Sequence, residues 1–327
     1  MSPTLSICIP TLNRCEFLRE AVKSIFDAKC DLSKLELCIS NNASDRDYSA
    51  IEMLLATAPK ALAVRYVVQQ ERLPVDEHML AVKNLAASPY IYFLGDDDFF
   101  LSGQLQLLLE LVEREAPDLA IFNGNLVDGQ GKVLGSHFDL PAQRYGSIST
   151  AFNDLRDKGM FGAVLVKALY LDDTYFRRLF GTAHGYGCYW FSLFAAHLRQ
   201  QSVIVMIPNF PLVALRMAEK TYCQLEVYYR DIPYEIAVYQ RYLPAGMPQK
   251  LNEQFKIRYQ GKISSCMFLT QLCNSGSEIK DIRDINPGFY RQHRLKIAIC
   301  EFLARSGTYE LLRRIYRSFI KRKQLSQ

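Results

Sequence analysis

Apolar runs and amphipathic stretches alternate along roughly the first 125 residues, and the period of each run predicts its element. Leu5 to Ile9 is a short apolar strand that Pro10 ends, and Glu16 to Ala28 places Leu18, Val22, Ile25 and Phe26 at helical spacing. Leu35 to Ser40 is a second strand, followed by a polar turn from Asn41 to Asp47 and a helix through Ile51, Leu54 and Leu55. Val64 to Val68 gives a third strand, Met79 to Ala86 a helix, and Tyr90 to Leu94 a strand set off by the Ser88-Pro89 break. A helix from Leu105 to Val112 and a strand from Leu119 to Phe122 complete the series. This alternation implies an α/β fold, a mostly parallel sheet with helices on both faces. Four loops then share the carboxyl edge, where open α/β sheets bind ligands: Pro10 to Arg14, Asn41 to Asp47, Gln69 to Asp76 and Asp96 to Asp98.

The pattern changes after Asn123. Val127 to Leu134 surrounds Asp128-Gly129 and Gly131, which predicts a hairpin, and Thr150 to Arg156 is helical in spacing. A glycine- and aromatic-rich segment, Phe180 to Trp190, leads into a helix ending at Arg199 and a strand from Val203 to Ile207. From Tyr222 onward the spacing is mainly helical, interrupted by Pro244, Pro248 and Pro287. A boundary near Leu215 to Thr221 therefore divides the chain into residues 1–218 and a helical C-terminal region, 219–327.

Composition adds exclusions. With 49% hydrophobic and 22% charged residues in 327, the chain can bury an ordinary core. The formal charge is +5, but from Arg305 onward seven basic residues face Glu310 alone. That tail holds +6 and leaves −1 elsewhere, which argues against nucleic acid as a partner. Nine scattered cysteines without a CxxC pair point to reduced thiols and a cytoplasmic setting. The N-terminus lacks the pattern of a signal peptide, and neither Tyr186 to Leu198 nor Val203 to Leu215 reaches the ~18 apolar residues of a spanning helix.

The chemistry concentrates in Tyr90 to Phe100, YIYFLGDDDFF. Three successive carboxylates at a strand's carboxyl end repel one another unless a cation neutralises them, and hard oxygen donors suit Mg²⁺ or Mn²⁺ holding a diphosphate. The plainer alternative is a solvated acidic turn capping the helix that starts near Ser102 and Gly103.

Taken together, SICIPTLNR, LCISNNASD and YIYFLGDDD resemble the family 2 glycosyltransferases of GT-A (Rossmann-like) fold, and among them the bacterial enzymes that build O-antigen and capsule units. The resemblance implies that Pro10, Thr11 and Arg14 line a nucleoside pocket with Asn41 and Asn42 facing the base. An acidic residue is usual near Asn41. An amide both donates and accepts where a carboxylate only accepts, so the base read here can differ. Arg72 is placed for a contact to base or phosphate, against the alternative of a surface arginine. His78, at a helix start, reads as a cap or surface residue. Asp96 or Asp97 is implied to hold the ribose or a metal-bound water, and Asp98 the metal, with Asp96 as a further ligand. Gly181 to His184 and Pro211 to Arg216 resemble later motifs of the family, which adds Arg216 to the nucleotide-sugar site. Asp172, Asp173 and His184 are the candidates for general base, with His184 alternatively a metal ligand and Glu219 also available. Tyr186, Tyr189, Trp190 and Phe191 are either sugar-stacking or core.

The resemblance implies inverting, Mn²⁺- or Mg²⁺-dependent transfer of a sugar from a nucleotide-diphosphate donor to a glycan or lipid-linked acceptor. Leu311, Leu312, Ile315, Tyr316, Phe319 and Ile320 recur at helical spacing opposite Arg313, Arg314, Arg317, Lys321 and Lys323. Such a helix either docks on the protein or lies on an anionic membrane, at the inner face of the cytoplasmic membrane. Two rivals are a nucleotide-sugar-binding paralogue without catalysis and a nucleotidyltransferase. The latter normally carries a glycine-rich phosphate loop near its first strand, which Ile9 to Arg14 lacks.

Overall fold

The computed structural model describes residues 2–146, 158–171, 204–216, 287–306 and 308, and the chain divides into two compact units, Met1–Glu219 and Lys220–Gln327. In the first unit β1 (Leu5–Thr11), β2 (Leu35–Asn41), β3 (Ala63–Val68) and β4 (Tyr90–Phe93) lie in the order β3-β2-β1-β4, all parallel. β1 and β2 form its buried centre, where every residue except Pro10 is buried. The helix α1 (Cys15–Phe26) buries Leu18, Ala21, Val22 and Ile25, the i, i+3, i+4 and i+7 positions, into the same core as Leu5, Ile7 and Leu37. Each fully buried leucine or isoleucine contributes about 1.5–3 kcal/mol before the cost of ordering the chain.

Two boundaries differ from the sequence expectation for physical reasons. β1 does not stop at Pro10 but continues to Thr11, pairing with Ser40 and Asn41 of β2. Proline can sit here because alternate residues of β1 face alternate neighbours: Cys8 O accepts from Leu94, so the missing N–H of Pro10 falls on the β4 side, where pairing has already ended at Cys8 and Phe93. The helix α3 (Val75–Lys83) begins four residues before Met79, because its first turn buries Asp76 and His78 rather than apolar residues. Hydrophobic periodicity is silent there.

Beyond β4 the sheet is not simply continued. β10 (Val164–Lys167) inserts antiparallel between β4 and β6 (Leu119–Ile121), and β11 (Val205–Ile207) and β9 (Gln143–Tyr145) follow. Among the described residues this makes an eight-stranded sheet in the order β3-β2-β1-β4-β10-β6-β11-β9. The remaining helices of the unit include α2 (Ser49–Ala56) and α4 (Gln104–Glu115), the latter started by Gly103 at a positive φ of 77°. A smaller sheet has the order β5-β12-β7-β8, from β5 (Phe99–Phe100), β12 (Pro211–Arg216), β7 (Asn123–Val127) and β8 (Val133–Ser136). β7 and β8 are the hairpin around Asp128-Gly129. β5 continues directly from the acidic triplet and pairs antiparallel with β12, which carries the end of β12 toward that triplet.

In the second unit, α5 (Pro287–Arg305) is described. The helices expected at Thr150 to Arg156, up to Arg199, from Tyr222 onward and at Leu311 to Lys323 lie outside the described residues. No helix among the described residues is long and apolar enough to cross a membrane.

Candidate nucleotide-sugar site

The chain leaves β4 through a tight turn in which Asp98 N–H donates to Gly95 O at 3.2 Å. Glycine is required at its start, because a Cβ on Gly95 would stand 2.6 Å from Asp98 Oδ2 and 3.1 Å from Asp97 Oδ1. The turn stacks the three carboxylates, with Asp96 only 7% and Asp98 only 5% exposed. Arg14, the residue before α1, closes over them: its Nη1 donates to Asp97 Oδ2 at 2.7 Å and to Asp96 Oδ1 at 3.3 Å. Asp98 is held from the other side, where the backbone N–H of Arg216 donates to its Oδ1 at 3.0 Å. Gly162, at φ 75°, donates its N–H to Phe93 O, and a Cβ there would lie 3.1 Å from Asp98 Oδ2 and 2.7 Å from Leu215. Backbone from two distant segments thus lines the carboxylate.

The other carboxyl-edge loops are tied to this one and to each other. Tyr48 OH accepts from Arg14 N–H at 3.1 Å and shares a hydrogen bond with Thr11 Oγ1 at 2.9 Å. Asn13 takes a left-handed conformation, φ 58°, its N–H donating to Ser44 Oγ and its Oδ1 accepting from Asp45 N–H. Asn42 ties its amide to the Leu73 backbone: Nδ2 donates to Leu73 O at 3.0 Å and Leu73 N–H donates to Oδ1 at 2.8 Å. Asn41 Nδ2 donates to Tyr66 OH at 3.2 Å while Oδ1 accepts from Ser44 N–H at 3.0 Å. Arg72 pairs with Asp45 on the exposed rim. His78 is buried rather than at the surface, and since Ser40 O can only accept, Nε2 carries the hydrogen and donates to it at 3.0 Å. Burial of this imidazole lowers its pKa to about 4.

The electrostatics of the triplet follow from burial and crowding. Burial raises the Asp96 pKa to about 6, opposed by Arg14 and reinforced by Asp97. Asp98 is raised well above the ordinary carboxylate range, again chiefly by burial and then by Asp97. Asp98 therefore favours its protonated form until positive charge arrives, Asp96 ionises near pH 6 beside Arg14, and the donor set is all hard oxygen. The backbone at Gly95 and Gly162 passes close to Asp98 Oδ2, where a Cβ would crowd the carboxylate. Among the described residues no three His, Cys, Asp or Glu side chains converge as a metal cage. Asp98 and Asp96 are the carboxylates that could hold Mg²⁺ or Mn²⁺ of the kind bound by one or two carboxylates and completed by water and phosphate oxygens.

The structure thus brings Thr11, Arg14, Asp96, Asp97, Asp98 and the Arg216 backbone together, with Asn41, Asn42 and Arg72 on the adjoining loops and Pro10 beside Ser40. The guanidinium of Arg216 points elsewhere, lying over the rings of Phe17 (4.9 Å) and Phe99 (5.5 Å) and pairing with Glu20. Asp172, Asp173, His184, Tyr186, Tyr189, Trp190, Phe191 and Glu219 lie outside the described residues. Sequence reading missed Tyr48, Tyr66 and Gly162. A lone glycine before the apolar run Ala163 to Val166 was the available signal for the last; nothing in the sequence marked the tyrosines.

A mixed sheet whose parallel half gathers an arginine-covered carboxylate cluster and three interlocked loops at its carboxyl edge is an α/β arrangement of GT-A type. The chain belongs to glycosyl transferase family 2, which matches residues 6–170, about half of the 327. It is 31% identical over 113 residues, 34% of this chain and 33% of the relative, to the abequosyltransferase RfbV of Salmonella typhimurium. Over 170 residues, 51% of this chain and 53% of the relative, it is 26% identical to a GalNAc(5)-diNAcBac-PP-undecaprenol beta-1,3-glucosyltransferase of Campylobacter jejuni. The matches thus span a third to about half of the length of these curated relatives. Among solved structures, S. aureus TarS 1-349 in complex with UDP-GlcNAc superposes with a TM-score of 0.61 at 12% identity, covering 97% of this chain and 92% of that one, which shows a shared fold.

Proposed function

We infer that the protein is an inverting glycosyltransferase that moves a sugar from a nucleotide-diphosphate donor to a glycan or lipid-linked saccharide in bacterial surface polysaccharide synthesis, of O-antigen or capsule type. The observation that carries this reading is the buried Asp96 to Asp98 cluster, covered by Arg14 and flanked by glycines, at the carboxyl edge of the sheet. The family, the UDP-GlcNAc bound to the structural neighbour TarS, and the undecaprenol-linked acceptor in the Campylobacter relative's name support donor and acceptor class.

Asp98, with Asp96, would hold Mn²⁺ or Mg²⁺, which supplies charge neutralisation for the diphosphate as the nucleotide leaves. The chain's own residues do the rest. Arg14 offers a guanidinium within reach of the same phosphates, and Tyr48 fixes the Thr11 to Arg14 loop by holding both its ends. Asn42 locks the Gln69 to Asp76 loop against the end of β2 and so sets the depth of the nucleoside pocket. Asp172, Asp173 and His184 are the proposed bases for the acceptor hydroxyl. The reading places the protein in the cytoplasm, at the inner face of the cytoplasmic membrane, where the basic C-terminal segment would face anionic lipid.

A non-catalytic nucleotide-sugar-binding paralogue is the second reading, favoured by Asn41 and Asn42 at the end of β2, both tied by hydrogen bonds within the protein. Release of nucleoside diphosphate from UDP-, GDP-, CDP- and dTDP-sugars, with Mn²⁺ and a lipid-linked saccharide, separates the two. Turnover with one donor is expected; binding of a donor without any turnover or hydrolysis would favour the paralogue.

A further inference from the structure

The helix α5 is amphipathic in the reverse sense to a core helix. Leu295, Ile299 and Phe302 are 76%, 52% and 70% exposed, whereas Ile297 is 2% exposed. At 100° per residue the three exposed side chains fall within about 60° of one another, and Ile297 lies nearly opposite. Ile297 therefore marks the buried side of the helix while a large apolar stripe is turned outward, extended by the exposed Ala298. Isolated exposed leucines are ordinary; three large apolar residues at i, i+4 and i+7 on one helix face are not. The exposed Arg291 stands at the N-terminal end of the stripe and the exposed Arg294 on its flank.

Charge says what this face meets. From Pro287 to Gln327 the chain carries ten Lys or Arg and two Glu, a formal +8, so the overall +5 leaves −3 for everything before it. An apolar stripe within the strongly cationic end of an otherwise slightly acidic chain has the composition of a helix lying in the headgroup region of an anionic bilayer. A second copy of the chain would bring +8 against +8.

We propose that α5 is a membrane-interfacial helix whose Leu295, Ile299 and Phe302 insert among the acyl chains of an anionic bilayer while Arg291 and Arg294 contact lipid phosphates. The inference rests on the lipid-linked acceptor of the proposed function for its purpose, and it moves the contact from the tail beyond Gly307 to this helix.

The test uses the full chain with vesicles of phosphatidylglycerol and phosphatidylcholine, and with phosphatidylcholine alone. The unmodified chain is expected to sediment with the anionic vesicles, and I299N/F302N to lose at least tenfold in partitioning while unfolding at an unchanged temperature. The F302W variant should show blue-shifted emission, quenched by brominated lipid, over the background of the single native tryptophan. Unshifted F302W emission with anionic vesicles would overturn the proposal, as would full binding by I299N/F302N, which would assign the contact to the basic tail alone. Conversion of a dimer to a monomer by I299N/F302N in sedimentation velocity would also overturn it, by assigning the face to self-association. Donor binding, followed separately by thermal shift with nucleotide sugars, reports on the glycosyltransferase reading; its absence beside intact vesicle binding would sink that reading and leave the helix assignment standing.

Discussion

Asp98 is a destabilising residue in the free protein, since a carboxylate 5% exposed and beside Asp97 is ionised only at a cost. Its pKa in the fold is raised above the unfolded value, so the folded state holds its proton longer and stability is lost as pH rises through the folded pKa. Asp98→Asn removes that loss while keeping an oxygen to accept from Arg216. The free variant should gain roughly 1 kcal/mol near pH 8, a Tm higher by about 2–4 °C, with the gain shrinking at acid pH. A variant no more stable than the parent at pH 8 in a Tm series across pH would show that Asp98 carries no such penalty. Gly162 is the opposite case, a position where nothing larger fits. Its φ of 75° and the 2.7 Å approach of Leu215 to a would-be Cβ predict that Gly162→Ala costs about 2 kcal/mol, read by urea denaturation. It should also weaken donor binding, by pressing on Asp98.

Between elements, the loops at the carboxyl edge are stitched by side-chain to backbone bonds. Asn42→Ala deletes both bonds to Leu73 and should lower stability by about 1–2 kcal/mol and raise the donor KM several-fold with little change in kcat, because the Gln69 to Asp76 loop is no longer held to β2. A fall in kcat at unchanged KM would contradict a purely positioning role. His78 ties α3 to β2, and its pKa of about 4 lies below the unfolded value near 6.5. Its stabilising contribution is therefore complete above about pH 6.5 and is lost as pH falls toward 4, about 3 kcal/mol in all. Asp96, raised to about 6, acts in the opposite direction over the same window, so the parent's own curve mixes the two. The difference in stability between the parent and His78→Gln isolates the histidine; a difference independent of pH between 7 and 4.5 would refute it. Apolar periodicity revealed β1, β2, β4, α1 and α4 in the sequence because apolar and aromatic side chains fill most of their buried positions. It was silent at the start of α3, where Asp76 and His78 are buried, and it did not register the antiparallel insertion of β10, since a four-residue apolar run carries no direction. The triplet was legible because charge repeats are rare at strand ends, whereas Tyr48 and Gly162 act through position in space, which the order of residues does not display.

Over the whole chain, chemistry and charge are separated. The acidic cluster sits in the Met1–Glu219 unit and the cationic excess in the last 41 residues, so separate substitutions address donor binding and any surface contact. The central claim is that the Asp96 to Asp98 cluster binds a nucleotide sugar together with a divalent cation. A ligand that binds only the folded state raises the unfolding temperature by mass action, which makes thermal shift the direct measurement. With UDP-, GDP-, CDP- and dTDP-sugars in turn, one donor should raise the Tm by several degrees in Mn²⁺ and far less in EDTA, and Asp98→Asn should abolish the cation-dependent part while remaining folded. An equal shift in Mn²⁺ and EDTA that survives in Asp98→Asn, or no shift with any of the four donors, would contradict it.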